Sequence, residues 1–366
     1  MNKSSGKINV IQIFMIIMLF NGLLSHVIVN PILLDASRRD AWISVLLTAV
    51  LFIPWSVLIV YIMKKSDRQP LQQWLAQQTS PLLSWIMLIP VVILLFIIGN
   101  MTITQTTVWT VSNYLPATPQ NLIIFALLLV CHYSAMHGMT AIAIGSGILL
   151  PAVLTLGYFV SISNMPEKDW LLLLPILEHG MEPVVNGMVY VGGAFAELFL
   201  ILLFQHHLKK TMRPWHIMLL SLLLVYISLG PLIGAITEFG PEESAKQMVS
   251  PYEQWRLVKL GNYVEHVDFL SVFQWLAGAT IRISLAQFMI SDLFAHQNPR
   301  LRKWIIRLIS TIYLILAIAL KQYNTFYLSL FKLVLVATLI LSVVLTTCWA
   351  LIAWFSKPAA KEEETT

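Results

Sequence analysis

Long apolar runs separated by short polar breaks dominate the chain, and most runs are close to the length of one membrane crossing. A helix rises about 1.5 Å per residue, so roughly 20 apolar residues span a bilayer core of about 30 Å. Taking prolines, charges and polar clusters as boundaries predicts ten spans: 8–34, 41–63, 82–111, 120–137, 139–163, 186–208, 215–237, 268–292, 301–320 and 325–355. The narrowest break lies between the fourth and fifth, where only Tyr133 to Gly138 interrupts the hydrophobicity. The first span follows Lys3 and Lys7 as a signal peptide would. It continues to Leu34 without a small-x-small cleavage site, and so reads as a span. Polar Gln69–Gln78 predicts a linker helix. Pro251–Leu260, with Tyr252, Trp255 and Leu257, predicts a short helix on the membrane surface or over a vestibule.

Composition agrees. Of 366 residues, 58% are hydrophobic and 11% charged, against about 45–50% and about 25% in soluble domains. With a mean hydropathy of +0.77, polar side chains are too few to cover a water-soluble globule. A soluble enzyme, a disordered chain and a secreted disulfide scaffold are excluded. Cys131 and Cys348 sit in apolar runs and say nothing of redox compartment. The net charge of +5 is small and spread over short loops, which argues against nucleic acid and for membrane topology. With a cytoplasmic N-terminus, inside segments hold fourteen Lys and Arg, including Arg68, Lys209, Lys210 and Arg302. The outside segments hold seven: Arg38, Arg39, Lys168, Lys246, Arg256, Lys259 and Lys321. The bias places both termini in the cytoplasm, as an even number of spans requires.

Two spans break their own pattern. In lipid every backbone polar group must be satisfied, so glycine pairs and polar clusters within a span face protein or water. The first span carries Asn21-Gly22-Leu23-Leu24-Ser25-His26 and then Asn30-Pro31. As one helix it would be about 40 Å long, so an interruption near Asn21–His26 is expected to divide it. The sixth carries Gly192-Gly193-Ala194-Phe195-Ala196-Glu197. Breaks in spans one and six predict an all-α fold built as a five-plus-five inverted repeat, with halves of about 8–163 and 186–355 and a ligand at the midplane. The whole of 1–366 reads as one integral membrane domain, ending in a short polar cytoplasmic tail at 357–366. The alternative for the glycines is close helix packing.

A carboxylate at the bilayer centre must be paired, protonated or in water, and Arg282 of the eighth span is the natural partner of Glu197. The pair either takes part in ligand sensing or forms a structural bridge. His26 either contacts ligand or donates to a freed carbonyl. Lys332, about two turns into the last span, is expected to snorkel outward. In the polar third span Asn100, Thr104 and Thr107 share a face, and Trp109 and Tyr114 read as interfacial anchors. The candidate ligand set is Asn21, Gly22, Ser25, His26, Asn100, Thr104, Gly192, Gly193, Phe195, Glu197 and, flanking Arg282, Thr280 and Ser284. No enzyme motif occurs. Glu178-His179 has no third ligand at metal spacing, and neither a metal site nor a cofactor is expected.

Three segments resemble the spore germination permeases. Gly22-Leu-Leu-Ser-His26 with Pro31, followed by Leu34-Asp-Ala-Ser-Arg-Arg-Asp-Ala-Trp-Ile-Ser44, is similar to that family's first two spans, and Arg39-Asp40-Ala41-Trp42 is the most specific element. Leu174-Pro-Ile-Leu-Glu-His-Gly180 resembles its Pro-x-Leu-x-x-Gly segment. Pro251–Leu260, with Glu265, Asp268 and Trp275, resembles the loop before its eighth span. The resemblance implies an amino acid–polyamine–cation transporter fold, and the role of B subunit in a nutrient germinant receptor of the spore inner membrane. It further implies a small-molecule germinant as ligand, with an A-type membrane subunit and a C-type lipoprotein as partners. A proton- or ion-coupled amino acid transporter of the same fold, using Glu197 or Asp268, is the alternative.

Overall fold

A helix satisfies its own backbone, so apolar segments that cannot face water become helices. The computed structural model describes residues 7–259, 266–319 and 327–356. Lys3, Leu260, Glu265, Lys321 and the tail at 357–366 lie outside the described residues. Among those described no strand forms. A single bridge joins Ile8 to Leu208.

The chain opens with α1 (Val10–Gly22), a π-helical turn (Leu23–Ile28) and α2 (Val29–Ser37). A short turn at Arg38–Asp40 leads to α3 (Ala41–Lys65), the linker helix α4 (Leu71–Gln78) and α5 (Pro81–Asn113). Next come α6 (Gln120–His137), α7 (Met139–Ser163) and α8 (Glu182–Ala196), which runs into a 3₁₀ helix at Glu197–His207. The remaining helices are α9 (Pro214–Phe239), α10 (Pro241–Lys246), α11 (Ser250–Leu257), α12 (Leu270–Ala295), α13 (Pro299–Ala319) and α14 (Tyr327–Phe355).

Seven stretches among the described residues are long and apolar enough to cross a membrane. One of them, Val10–Lys65, has 56 residues and as one straight helix would exceed twice the bilayer core. It folds back at Arg38, whose φ of 50° and ψ of −129° end α2. That turn is anchored on the Leu177–His179 loop. Arg39 pairs with Glu178 at 3.0 Å, Arg38 Nη1 lies 3.0 Å from His179 Nε2, and Asp40 Oδ1 accepts from the Leu177 N–H at 2.9 Å. The two most distinctive motifs of the sequence therefore hold each other.

The sixth span lies at the centre, with Glu197 to Gln205 of its 3₁₀ helix all buried. Both expected breaks change form. The first span does not unwind: it stays helical through a π turn. In the sixth, α8 continues through Gly192 and Gly193, and the geometry alters only at Glu197. The glycines serve packing. A Cβ at Gly193 would collide with Leu335 O of α14, and one at Gly192 would meet Leu339 at 3.3 Å. Lys332 does not simply reach outward: its Nζ lies 2.7 Å from Asp35 Oδ2.

Candidate functional site

Three helical segments meet at one buried polar knot. Arg282 of α12 reaches Glu197 with both arms, Nη1 to Oε2 at 2.7 Å and Nη2 to Oε1 at 2.5 Å, and both side chains are buried. Arg282 Nη1 also donates to Phe20 O of α1 at 2.8 Å, and the guanidinium lies 4.6 Å from the Phe20 ring centre. Asn21 Nδ2 donates to Ala194 O at 2.6 Å and to Glu197 Oε2 at 3.3 Å, while its Oδ1 accepts from Ser25 Oγ at 2.6 Å. The bidentate fork is the strong form of this interaction, and the added bonds compensate desolvation. The knot fixes α1 to α12 and to the 3₁₀ helix that follows α8, just before the π turn.

Beside the π turn the wall opens into a cavity of about 220 Å³. Gly22, Leu23, His26 and Val27 line it from the first span, Tyr226, Ile227 and Pro231 from α9, and Tyr252, Gln254 and Trp255 from α11. Trp109 of α5 and Gln274, Trp275 and Gly278 of α12 also line it, with Gly157 of α7 beside Gln274. Trp109 stacks on Trp275 with ring centres 4.3 Å apart and planes at 10°. The indole N–H of Trp275 donates to Thr106 Oγ1 at 2.9 Å, and that of Trp255 to Gln274 Oε1 at 2.8 Å. Gln254 Nε2 donates to Pro231 O at 2.6 Å, which seats α11 over the cavity as its cap. Among the described residues no Lys, Arg, Asp or Glu lines it.

His26 takes its place for a backbone reason. Pro231 has no N–H, so the carbonyl four residues earlier, Ile227 O, loses its helical donor. His26 Nδ1 lies 2.9 Å from that oxygen and supplies one. With the proton on Nδ1, the other ring nitrogen is an acceptor. Asn30 Nδ2 donates to His26 O at 2.9 Å.

The expected ligand set therefore divides. Gly22 and His26 line the cavity; Asn21, Ser25 and Glu197 belong to the polar knot. Gly192 and Gly193 pack on α14, and the Phe195 ring lies tilted against Phe52 with centres 5.2 Å apart. Thr104 and Thr107 bond carbonyls of their own helix, Thr104 that of Asn100. Ser284 Oγ donates to Thr280 O at 2.6 Å, and neither residue lines the cavity. Trp109 is not an interfacial anchor but a buried wall of the cavity. Tyr114 likewise turns inward, its hydroxyl donating to Asp268 O at 2.8 Å. Sequence reasoning missed Gln254, Gln274 and Gly278. The one available signal was the cluster of aromatic and amide residues at Tyr252–Trp255 and Gln274–Trp275.

A model of the spore germination protein family matches residues 7–326. Spore germination protein XB of Bacillus anthracis is 39% identical over 320 residues, covering 87% of this chain and 90% of that protein. Crystal structures of a manganese transporter of Eremococcus coleocola superpose with a TM-score of 0.52 at 12% identity, covering 93% of this chain and 78% of theirs. Another, in complex with an aromatic bis-isothiourea substituted compound, gives the same TM-score at 13% identity. At that identity the likeness establishes the fold alone.

Proposed function

This chain belongs to the spore germination protein family, and on that premise we propose that it is the germinant-binding B-type subunit of a spore nutrient receptor. A multi-pass membrane protein of transporter fold is the setting; the aromatic cavity beside the π turn is the proposed germinant site. The observation that carries the reading is the position of this cavity: it touches the π turn of the first span, and its cap α11 belongs to the segment that resembles the family's loop before the eighth span. A ligand entering it would leave bulk water for indole and aliphatic walls, meeting His26, Gln254 and Gln274 as polar groups and, among the described residues, no formal charge. That chemistry suits a small nutrient with an apolar or aromatic body.

In this reading the ten predicted spans all cross, the halves form a five-plus-five inverted repeat, and both termini are cytoplasmic. Support comes from which loops meet. Arg38–Asp40 and Leu177–His179, both assigned outside, touch at one end. Ile8, Arg68 and Lys209, assigned inside, gather at another: Arg68 Nη1 donates to Leu208 O and Lys209 O, and the Lys209 N–H donates to Ile8 O. An A-type membrane subunit and a C-type lipoprotein would complete the receptor in the spore inner membrane. Ion-coupled amino acid transport is the second reading, favoured by the fold shared with a transporter.

The test is ligand titration of the purified full-length chain, read by tryptophan fluorescence, with germination of spores carrying the same variants. Trp109, Trp255 and Trp275 line the cavity, so a bound nutrient should change their emission. A Cβ at Gly22 meets only Ile227 Cδ1, at 3.6 Å, so Gly22→Leu should fold, project into the cavity and abolish both the fluorescence change and the response. A variant that responds normally at wild-type abundance would overturn the site. Substrate flux in proteoliposomes would favour the transporter.

A further inference from the structure

We propose that His206, His207, Asp292 and His296 form a binding site for one divalent transition metal of the zinc type, joining the sixth and eighth spans at the end of the bundle that carries Arg68 and Lys209. Their ligand atoms all lie within 4.8 Å of one another. His206 Nε2 is 2.8 Å, His207 Nε2 2.9 Å and His296 Nδ1 3.6 Å from a single oxygen, Asp292 Oδ2.

Consecutive residues of a regular helix point about 100° apart and do not share a target. His206 and His207 both reach one oxygen because the 3₁₀ helix ends there: Phe204 has already left helical geometry, with φ −117° and ψ 17°, and Leu208 is extended. The segment is held rigidly. The Ile8 N–H donates to His207 O at 2.8 Å, and Arg68 to Leu208 O at 3.1 Å. On the facing helix, Asp292 and His296 are four apart and share a face. Glu197 and Arg282 pair, and ten residues further along both spans His207 and Asp292 pair. The two segments therefore run side by side in the same direction, pinned at both places.

Hydrogen bonding alone accounts poorly for the cluster. Two imidazole N–H groups fill the lone pairs of Asp292 Oδ2, which leaves the third ring nitrogen, His296 Nδ1, buried without a hydrogen-bond partner. Three imidazoles and one carboxylate are instead a complete tetrahedral set for zinc, which takes nitrogen and oxygen ligands at about 2.0–2.2 Å. Ligand atoms then stand about 3.3 Å apart. The three His–Asp292 separations of 2.8–3.6 Å bracket that value, and metal binding must draw together the widest ligand spacing, of up to 4.8 Å. Arg302 Nη1, 3.0 Å from Asp292 Oδ1, orients the carboxylate from its other oxygen, as outer-shell partners do. Four protein ligands close the sphere, so the site is structural in type and leaves no position for a reacting water. Imidazole donors favour zinc, copper or nickel over magnesium or calcium.

The experiment uses the full-length chain, produced without a histidine tag, purified in detergent, stripped by a chelator and titrated with Co²⁺ and Zn²⁺. The expected result is one Co²⁺ per chain with the visible absorption of a tetrahedral ion, displaced by Zn²⁺ and not by excess Mg²⁺. His296→Gln, at the partly exposed end of α12, and His207→Gln should each weaken Co²⁺ binding by at least about tenfold, since outer-shell losses alone cost 10–100-fold. Zn²⁺ should raise the melting temperature of the wild type and not of these variants. Absence of the Co²⁺ spectrum in a folded wild type, displacement by Mg²⁺, or full binding by both variants would overturn the proposal.

Discussion

His26 supplies to Ile227 the donor that Pro231 denies it. Nδ1 stands 2.9 Å from the Ile227 carbonyl oxygen, across a gap of 201 residues in sequence. This bond ties the π turn of the first span to the proline position of α9, and both elements line the cavity.

Replacing His26 with Ala should leave Ile227 O unsatisfied and lower stability by about 1–3 kcal/mol, the cost of a buried acceptor without a donor. Pro231→Ala restores a backbone N–H, so the double variant should regain much of that loss in a thermal melt. The nutrient response should not return with it, because the cavity would still lack its imidazole. Recovery of the response with stability would confine His26 to a structural role.

Glu197→Gln and Arg282→Gln should each lower abundance and melting temperature strongly. Each strands a charge that is almost fully buried, at a cost of roughly 3–5 kcal/mol. The double change removes both charges and should restore abundance in part. A double variant no better than the sum of the singles would show that the two sites are not coupled.

Gly22 and Gly193 should respond differently to Ala. At Gly193 a methyl group meets the backbone of Leu335, which cannot move aside, and overpacking of this kind costs about 1–3 kcal/mol. At Gly22 it meets only the end of the Ile227 side chain, at 3.6 Å. Gly193→Ala should therefore lose melting temperature and Gly22→Ala should keep it. The opposite order would contradict the assignment of Gly193 to helix packing.

The proposed orientation is checked by cysteine labelling of intact cells with a membrane-impermeant reagent. In a Cys348→Ser background, a cysteine at Glu243 should label from outside and one at Lys209 should not. Cys131 is buried and adds no background. The reverse pattern would invert the topology.

What the sequence determined by itself follows from the bilayer as solvent. Backbone groups in lipid must be bonded within the segment, so the apolar runs had to become helices, and their lengths and basic flanks are local properties that can be counted. The partnership of Glu197 with Arg282 was legible for the same reason, since a buried carboxylate admits few alternatives. The identity of the break was not. The π turn at Leu23–Ile28, in place of an unwound segment, is tied through His26 to an acceptor on α9, and that acceptor is not a property of the first span. The same holds for Gly192 and Gly193: a glycine pair reads alike whether it opens a helix or admits a neighbour, and only the position of Leu335 on α14 decided it. The cavity and the histidine cluster are further cases. Trp109, Gln254 and Trp275, or His207 and Asp292, acquire a shared role only when helices far apart in sequence pack side by side, because the chemistry of a site depends on distances in space that spacing along one helix does not encode.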